Sequence, residues 1–136
     1  MITDRTEADV LLENEKGTYG FQDLNRVERE VDRLRGFFPR LGIRDDLTVK
    51  TDWAVPGDFS VEQWPTEAQM KRYLANVERM RREFRISLRL PDTMNGLTYE
   101  GANRIEQVLV TAGERIGAIL ASFRYSGEIF SGEDFL

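Results

Sequence analysis

The stretch that decides the fold is the longest regular apolar pattern in the chain, residues 102–123, which read ANRIEQVLVTAGERIGAILASF. Apolar side chains recur there at steps of three or four residues: Ala102, Ile105, Leu109, Ala112, Ile116, Ile119 and Phe123. This spacing places them along one face of an α-helix. Thr98 precedes the pattern with a hydroxyl that can cap the helix. The pattern therefore predicts a long amphipathic helix with a buried apolar face.

Two earlier stretches show the same alternation of three- and four-residue steps. The first carries Leu24, Val27, Val31, Leu34, Phe38 and Leu41, and the second carries Met70, Tyr73, Val77, Met80 and Phe84. Pro39 predicts that the first of these helices ends near Phe38, because proline removes a backbone donor. Thr66 and Gln69 form a capping-box pattern, which predicts that the second begins at Thr66.

A short helix is also predicted near the N-terminus, over residues 7–16. Thr6 and Asp9 have the spacing of a helix cap, and Gly17 is placed to stop the helix. The expected fold class is therefore mainly α. We predict an antiparallel helical bundle of three long helices plus this short N-terminal helix.

Two segments fall outside the helical patterns. Residues 43–64 are irregular, with a short strand predicted at 47–51 and three large aromatics (Trp53, Phe59 and Trp64) expected to pack on the bundle. The tail, residues 124–136, is aromatic and punctuated by glycine, which predicts a non-helical β-hairpin or extended arm. We expect a helical bundle domain over 1–123 and an aromatic C-terminal arm over 124–136, either folded back or docked on a partner.

Composition narrows the chemistry. The 136 residues include no cysteine and no histidine, which excludes disulfides, thiol nucleophiles, histidine catalysis and zinc sites with those ligands. No Gly-rich phosphate loop and no calcium-binding loop pattern is present. We therefore predict no enzymatic activity and no cofactor. The chain has no apolar run long enough for a membrane span and no apolar signal-peptide core at its start, so we expect no membrane association and no export.

The charge is acidic overall and unevenly distributed. A formal net charge of −5 makes nucleic-acid binding unlikely as a general property. Residues 71–89, here called the basic strip, nevertheless contain seven basic residues against Glu78 and Glu83. The strip is typical of a solvated helix face with internal ion pairs. It also fits a docking surface for an acidic partner.

Two predicted helix starts resemble each other. Residues 21–28 read FQDLNRVE and residues 99–106 read YEGANRIE, with Asn, Arg and Glu identical between them. These identities are Asn25, Arg26 and Glu28 in the first helix, and Asn103, Arg104 and Glu106 in the second. Each Asn–Arg pair flanks the apolar stripe, so an asparagine there can bond a neighbouring backbone and an Arg–Glu pair can bridge helices or subunits. Chance convergence of two capped amphipathic helices explains the similarity equally well.

Several short stretches, in order along most of the chain, resemble a family of small prophage proteins of Gram-positive bacteria. These proteins are encoded in the tail-fibre and baseplate region. The stretches are residues 4–10, 18–27 (TYGFQDLNRV), 50–53, 65–70 with Tyr73 and Leu74, 96–103 and 123–128. Leu24-Asn25-Arg26-Val27-Glu28 also resembles the helical N-terminal attachment segments of phage fibres. The resemblance implies a structural protein of the virion tail region, assembled in the host cytoplasm and bound to other tail or baseplate proteins.

The resemblance and the residues together lead to one main functional hypothesis. The chain is expected to act in a phage or phage-tail-like particle through protein–protein contacts, and to self-associate. The candidate contact residues are Asn25, Arg26, Glu28, Asn103, Arg104, Glu106, Tyr125, Ile129, Phe130 and Phe135. The alternative is a cytoplasmic helical adaptor or regulator that binds an acidic partner or nucleic acid through the basic strip. A carboxylate hydrolase is a third and weaker hypothesis.

Overall fold

The computed structural model describes residues 1–54 and 64–125, with side chains through Phe123. Its helices are α1 (Glu7–Leu12), α2 (Phe21–Arg35), α3 (Phe38–Leu41), α4 (Glu67–Glu83) and α5 (Tyr99–Tyr125). The mainly helical class is confirmed, with three long helices and a short N-terminal one. Residues 47–51 form no strand, because helix side chains (Arg35, Arg72 and Asn76) take the carbonyls of Leu47 and Thr48. The strand prediction was wrong.

The N-terminal helix is shorter than predicted. Thr6 caps it as expected: the Asp9 amide donates to the Thr6 hydroxyl and the Thr6 amide donates to the Asp9 carboxylate. The helix ends at Leu12 because Glu13 adopts a left-handed conformation with φ 52°. Gly17 has a different role, since a side chain there would overlap the backbone of Asp9.

The other helix ends follow local signals with two exceptions. The Thr66 capping box is present as predicted, and the Gly101 amide donates to the Thr98 hydroxyl at the start of α5. α2 ends at Arg35, and Pro39 lies in the first turn of the separate helix α3, where it needs no donor. α5 continues through Tyr125, so the last two residues of that helix were wrongly assigned to the arm.

The three long helices run parallel, which corrects the predicted antiparallel arrangement. α2 and α4 meet through Glu28 and Arg72, and further along the chain Phe38 of α3 packs on Phe84, just after α4, with ring centroids 6.5 Å apart. In both segments the second contact lies further toward the C-terminus than the first, and this occurs only when the two helices point the same way. α5 has the same direction: Glu106 pairs with Arg26, and Gly113 lies beside Leu34.

The connections explain this direction. Antiparallel neighbours need only short loops. Here residues 36–66 and 84–98 separate the long helices, and the described stretches 42–54 and 84–98 run back along the bundle. The first return is fixed at successive levels, since Arg79 holds Asp46, Asn76 holds the Thr48 carbonyl and Asn25 holds Trp53.

The apolar stripes of the three helices lie in register around one core. The stripes start at Leu24, Met70 and Ala102, and most of their members are buried. The α5 stripe departs from the prediction at its end, where Leu120 is 8% exposed and Ile119 is 36% exposed. A 3.5-residue pattern drifts around a 3.6-residue helix by about 20° per heptad, which moves the buried face to the neighbouring residue.

The aromatic loop only partly joins this core. Trp53 is buried at 4% exposure, as expected, whereas Trp64 is 53% exposed and its predicted packing was wrong. Phe59 lies outside the described residues. No described helix is long and apolar enough to cross a membrane.

Candidate functional site

A buried ion cluster joins α5, α2 and the N-terminal segment. Arg26 donates from Nε and Nη2 to Glu106 at 2.6 and 2.9 Å. Arg5, which is 4% exposed, donates to Glu106 and to Asp23, at 2.5 and 3.3 Å. Arg26 also binds Asp23. Two arginines thus neutralise two buried carboxylates, as buried charges require.

This pairing keeps Glu106 and Arg26 ionised. Burial alone would raise the pKa of Glu106, but the bonds from Arg26, the Ile2 amide and Arg5 outweigh it and hold the pKa below its usual range. The bond to Glu106 likewise raises the pKa of Arg26. Glu106 and Arg26 therefore stay charged at neutral pH and do not serve as a proton donor or acceptor there.

Asn103 holds the N-terminal segment by its main chain. The Arg5 amide donates to Asn103 Oδ1 at 2.9 Å, and Asn103 Nδ2 donates to the Arg5 carbonyl at 3.0 Å. Both backbone hydrogen-bonding groups of Arg5 are thus satisfied by one side-chain amide. The same residue, Arg5, places its guanidinium on Glu106 and over the ring of Tyr19, 5.5 Å from its centroid.

A second cluster repeats this arrangement on α2. The Trp53 amide donates to Asn25 Oδ1 at 2.7 Å, and Asn25 Nδ2 donates to the Trp53 carbonyl at 2.5 Å. The Trp53 indole donates to Glu28 at 2.7 Å, and Arg72 of α4 binds the same carboxylate. Each Asn–Glu pair thus holds one residue of an extended segment by its backbone and side chain. An arginine from another helix closes each cluster.

α4, the remaining long helix, lacks the Asn–Glu pair at the equivalent positions. Aligning the stripes at Leu24, Met70 and Ala102 puts Lys71 and Leu74 where the other two helices have Asn and Glu. Leu74 is 8% exposed, and Leu90, in the segment between α4 and α5, is also buried. An apolar side chain therefore stands at the third position. α4 still contributes a buried asparagine, Asn76, which donates to the Thr48 carbonyl at 2.8 Å.

The structure separates the ten residues predicted as contacts. Asn25, Glu28, Asn103 and Glu106, together with Arg26, hold segments of this same chain. Their predicted role as contacts with a subunit or partner stays a prediction. Arg104 does not join them: its side chain is half exposed, and its nearest acid is Glu100, 3.9 Å away on the same helix. Arg26 and Arg72 each bind the glutamate of a neighbouring helix. The position on α4 that matches those glutamates is Leu74, which offers Arg104 no carboxylate. The tail residues Ile129, Phe130 and Phe135, and the side chain of Tyr125, lie outside the described residues.

Several important residues were missed by sequence reasoning. Arg5 and Asp23 are buried members of the first cluster, and Trp53 is the held residue of the second. Asp23 carried a usable signal, because it lies three residues after Gly20 and accepts from the Gly20 amide at the helix start. Nothing local distinguishes Arg5 from an ordinary surface arginine.

Two tyrosines form a hydrogen-bonded pair beside the first cluster. The hydroxyls of Tyr19 and Tyr73 bond each other and join the segment before α2 to the core face of α4. Burial raises the pKa of both phenols, so both stay protonated through the physiological range.

The basic strip is largely occupied by its own ion pairs. Five of its seven bases have an acid within 4.0 Å; the pairs are Lys71–Glu67, Arg72–Glu28, Arg79–Asp46, Arg81–Glu78 and Arg82–Glu78. Arg115 of α5 binds the last carbonyls of the α4 end, at Phe84 and Arg85. The expected helix face with internal pairs is therefore present. The two ions at Glu67 and Lys71 are exposed, so their pair is screened by solvent.

The apolar surface of the described chain is concentrated on α1. Leu11 and Leu12 are 76% and 74% exposed, and α1 contains no buried residue. A separate groove of about 750 Å³ lies between α4 and residues 87–95. The exposed leucines and this groove are apolar surface that the described residues leave open to solvent.

Comparisons were made with protein-family models, with curated proteins and with solved structures. None of the three found a match to this chain.

Proposed function

We propose that this chain is a structural component of a phage or phage-tail-like particle, in the tail, baseplate or fibre-attachment region. It acts through protein–protein contacts, including contacts with its own copies, and not through catalysis. The observation that carries the contact role is the exposed leucine pair of α1, because two adjacent leucines with three quarters of their surface in water form a surface suited to association.

The resemblance to prophage tail-region proteins supports the location. Its stretches include the residues that hold the fold together: Arg5 in 4–10, Asp23 and Arg26 in 18–27, Trp53 in 50–53 and Asn103 in 96–103. The similarity therefore includes residues that fix the extended segments to the helices. This distribution indicates that the scaffold is built in the same way in both.

The scaffold suits a particle component because its segments are fixed at several levels. Removing one partner of a buried ion pair typically costs about 3–5 kcal/mol. The two clusters at Glu28 and Glu106 therefore resist local opening and hold the surfaces around them in constant positions. A building block needs such rigidity, since its contacts are made between preformed surfaces.

The test is peptide mass spectrometry on density-purified particles induced from the host strain. We expect this chain at a fixed ratio to tail or baseplate proteins, and the ratio gives its symmetry. Abundance in the lysate together with absence from the particles would contradict the proposal. An assembly factor or cytoplasmic adaptor would then account better for the chain.

The alternative, an adaptor or regulator that binds through the basic strip, has less support. Arg72, Arg79 and Arg81 are engaged by acids of this chain, which leaves less positive charge for phosphates. Strong DNA binding that weakens steeply with salt concentration would favour the alternative.

A further inference from the structure

Asn95 is followed by glycine in the turn that leads into α5. Both residues are exposed, and Gly96 has a left-handed conformation with φ 66°. Glycine has no Cβ, so its backbone nitrogen can approach the side-chain amide of the residue before it. The space around Gly96 is open, since a Cβ added there would meet nothing within 4 Å beyond its chain neighbours. The Asn–Gly sequence occurs once in the chain.

The turn leaves two groups of this dipeptide free. The Asn95 backbone N–H donates to the Thr93 hydroxyl at 3.1 Å, which holds the main chain of the turn. Within the described part of the chain, no group bonds the Asn95 side chain or the Gly96 N–H. The side-chain amide carbon of Asn95 and the nitrogen of Gly96 are therefore both available for reaction with each other.

The other asparagines are all held by hydrogen bonds. Each donates from Nδ2: Asn14 to Asp9, Asn25 to the Trp53 carbonyl, Asn76 to the Thr48 carbonyl and Asn103 to the Arg5 carbonyl. The last three lie within α2, α4 and α5, where the next backbone N–H is engaged by the helix. None of these four asparagines precedes a glycine.

We propose that Asn95 and Gly96 form the site at which the folded chain deamidates spontaneously, because the turn leaves both reacting groups free. The Gly96 nitrogen loses its proton and attacks Cγ of Asn95, so that the N–Cγ bond forms and the Cγ–Nδ2 bond breaks. Nδ2 takes up a proton and leaves as ammonia, and a cyclic succinimide remains. Water then opens the ring, at Cγ to give aspartate or at the main-chain carbonyl carbon to give isoaspartate. Nothing is oxidised or reduced, and water is the co-reactant.

The conversion changes the groove beside α4, because Asn95 lines it. The charges of the lining balance in the unmodified chain; the bases are Lys71, Arg81 and Arg89, and the acids are Glu67, Glu78 and Asp92. Either product adds a carboxylate at position 95, so the lining becomes acidic as the protein ages. Isoaspartate also adds one carbon to the main chain just before Leu97 and Thr98, where α5 begins. The inference is independent of the proposed role in a particle.

The test follows the reaction in the full chain. The protein is incubated at mildly alkaline pH in water enriched in the heavy oxygen isotope, folded in one sample and unfolded in guanidinium chloride in another. Peptide mass spectrometry then measures the label at each asparagine, since only conversion during the incubation introduces it. We expect the amide-to-acid mass shift at Asn95 at comparable rates in both samples, and no label at the other asparagines of the folded chain. Ion-exchange chromatography should show a more acidic species accumulating in step.

Arg104→Gly provides the matched control. It places the same Asn–Gly sequence at Asn103, whose side chain is bonded to Arg5 and whose next N–H lies within α5. Arg104 is half exposed, so glycine is tolerated there, and circular dichroism verifies that the variant is folded. We expect label at Asn95 and none at Asn103. Asn95→Gln should abolish the acidic species, because the longer side chain closes a ring far more slowly.

Label at Asn95 in guanidinium chloride without label in the folded chain would overturn the inference, since the turn would then protect the site. Equal labelling of Asn95 and Asn103 in the folded Arg104→Gly variant would also overturn it, because the free groups of the turn would then confer no special reactivity. Neither result bears on the presence of the chain in particles.

Discussion

Asn25 and Asn103 make the same pair of hydrogen bonds with an extended segment. Each accepts from a backbone amide through Oδ1 and donates to the carbonyl of the same residue through Nδ2, Trp53 in one case and Arg5 in the other. Only a side-chain amide offers a donor and an acceptor in this geometry. The similarity between residues 21–28 and 99–106 therefore has a physical basis in a shared way of holding chain.

Replacing Asn25 by Asp should destabilise the protein by about 1–3 kcal/mol, because a carboxylate oxygen would then face the Trp53 carbonyl and leave a buried acceptor unpaired. Urea unfolding followed by circular dichroism measures the loss. Asn95→Asp, at an exposed position in the turn before α5, is the control and should change stability by less than about 0.5 kcal/mol. Equal effects at the two positions would refute the importance of the Trp53 bonds.

Arg26 and Arg104 should respond differently to removal although they match in the internal similarity. Arg26→Ala leaves Glu106 and Asp23 with Arg5 as their remaining cation and should cost at least about 2 kcal/mol. Arg104→Ala removes an exposed side chain whose paired acid among the described residues, Glu100, is 3.9 Å away, and should cost less than about 0.5 kcal/mol. Thermal unfolding of the two variants side by side decides the matter, and similar losses would contradict the structure.

Acid should weaken the fold through Glu106. Its pKa is lower in the folded chain than in the unfolded chain, where a glutamate titrates near about 4.3. The stabilisation is therefore complete above that value and is lost as the pH falls through the folded-state pKa. Unfolding free energies measured from pH 6 down to about pH 3 should fall.

Glu106→Gln provides the control for this dependence, because glutamine keeps the shape and does not titrate. The variant is expected to be less stable at neutral pH and to show a shallower decline in acid. An identical pH dependence in the variant and the natural chain would show that Glu106 contributes nothing to the acid response.

Arg85→Gly should stabilise the chain by about 0.5–1 kcal/mol. Arg85, two residues after the end of α4, has a left-handed conformation with φ 51°, which is strained for a residue with a side chain. Glycine relieves that strain and keeps the Arg85 carbonyl that accepts from Arg115. Gly42, with φ 69° at the end of α3, is the matched site, and Gly42→Ala should destabilise by a similar amount. Differential scanning calorimetry measures both; a lower melting temperature for Arg85→Gly would contradict the prediction.

The helices and much of their burial were predictable because their signals are local. The steps from Leu24 to Phe38 place one stripe on one face whatever the surroundings, and the Thr66 capping box satisfies its own helix start. The positions of Asn25 and Glu106 beside an apolar stripe also indicated that an asparagine there can bond a neighbouring backbone and that a glutamate there can pair with an arginine. The end of α1 was misjudged because Glu13, and not a glycine, took the left-handed position.

The direction of the helices and the composition of the clusters were decided by tertiary structure alone. An amphipathic stripe has no polarity, so it packs equally well against a parallel or an antiparallel neighbour, and the choice is settled by the paths of the connections, seen in residues 42–54 and 84–98. Likewise, Arg5 is an ordinary arginine until Asn103 and Glu106 are brought to it from a hundred residues away. Apolar periodicity and helix capping depend on residues that are close in sequence, so the sequence by itself determines them. Charge pairing across the bundle depends on which distant segments meet, and that exists only in the folded chain.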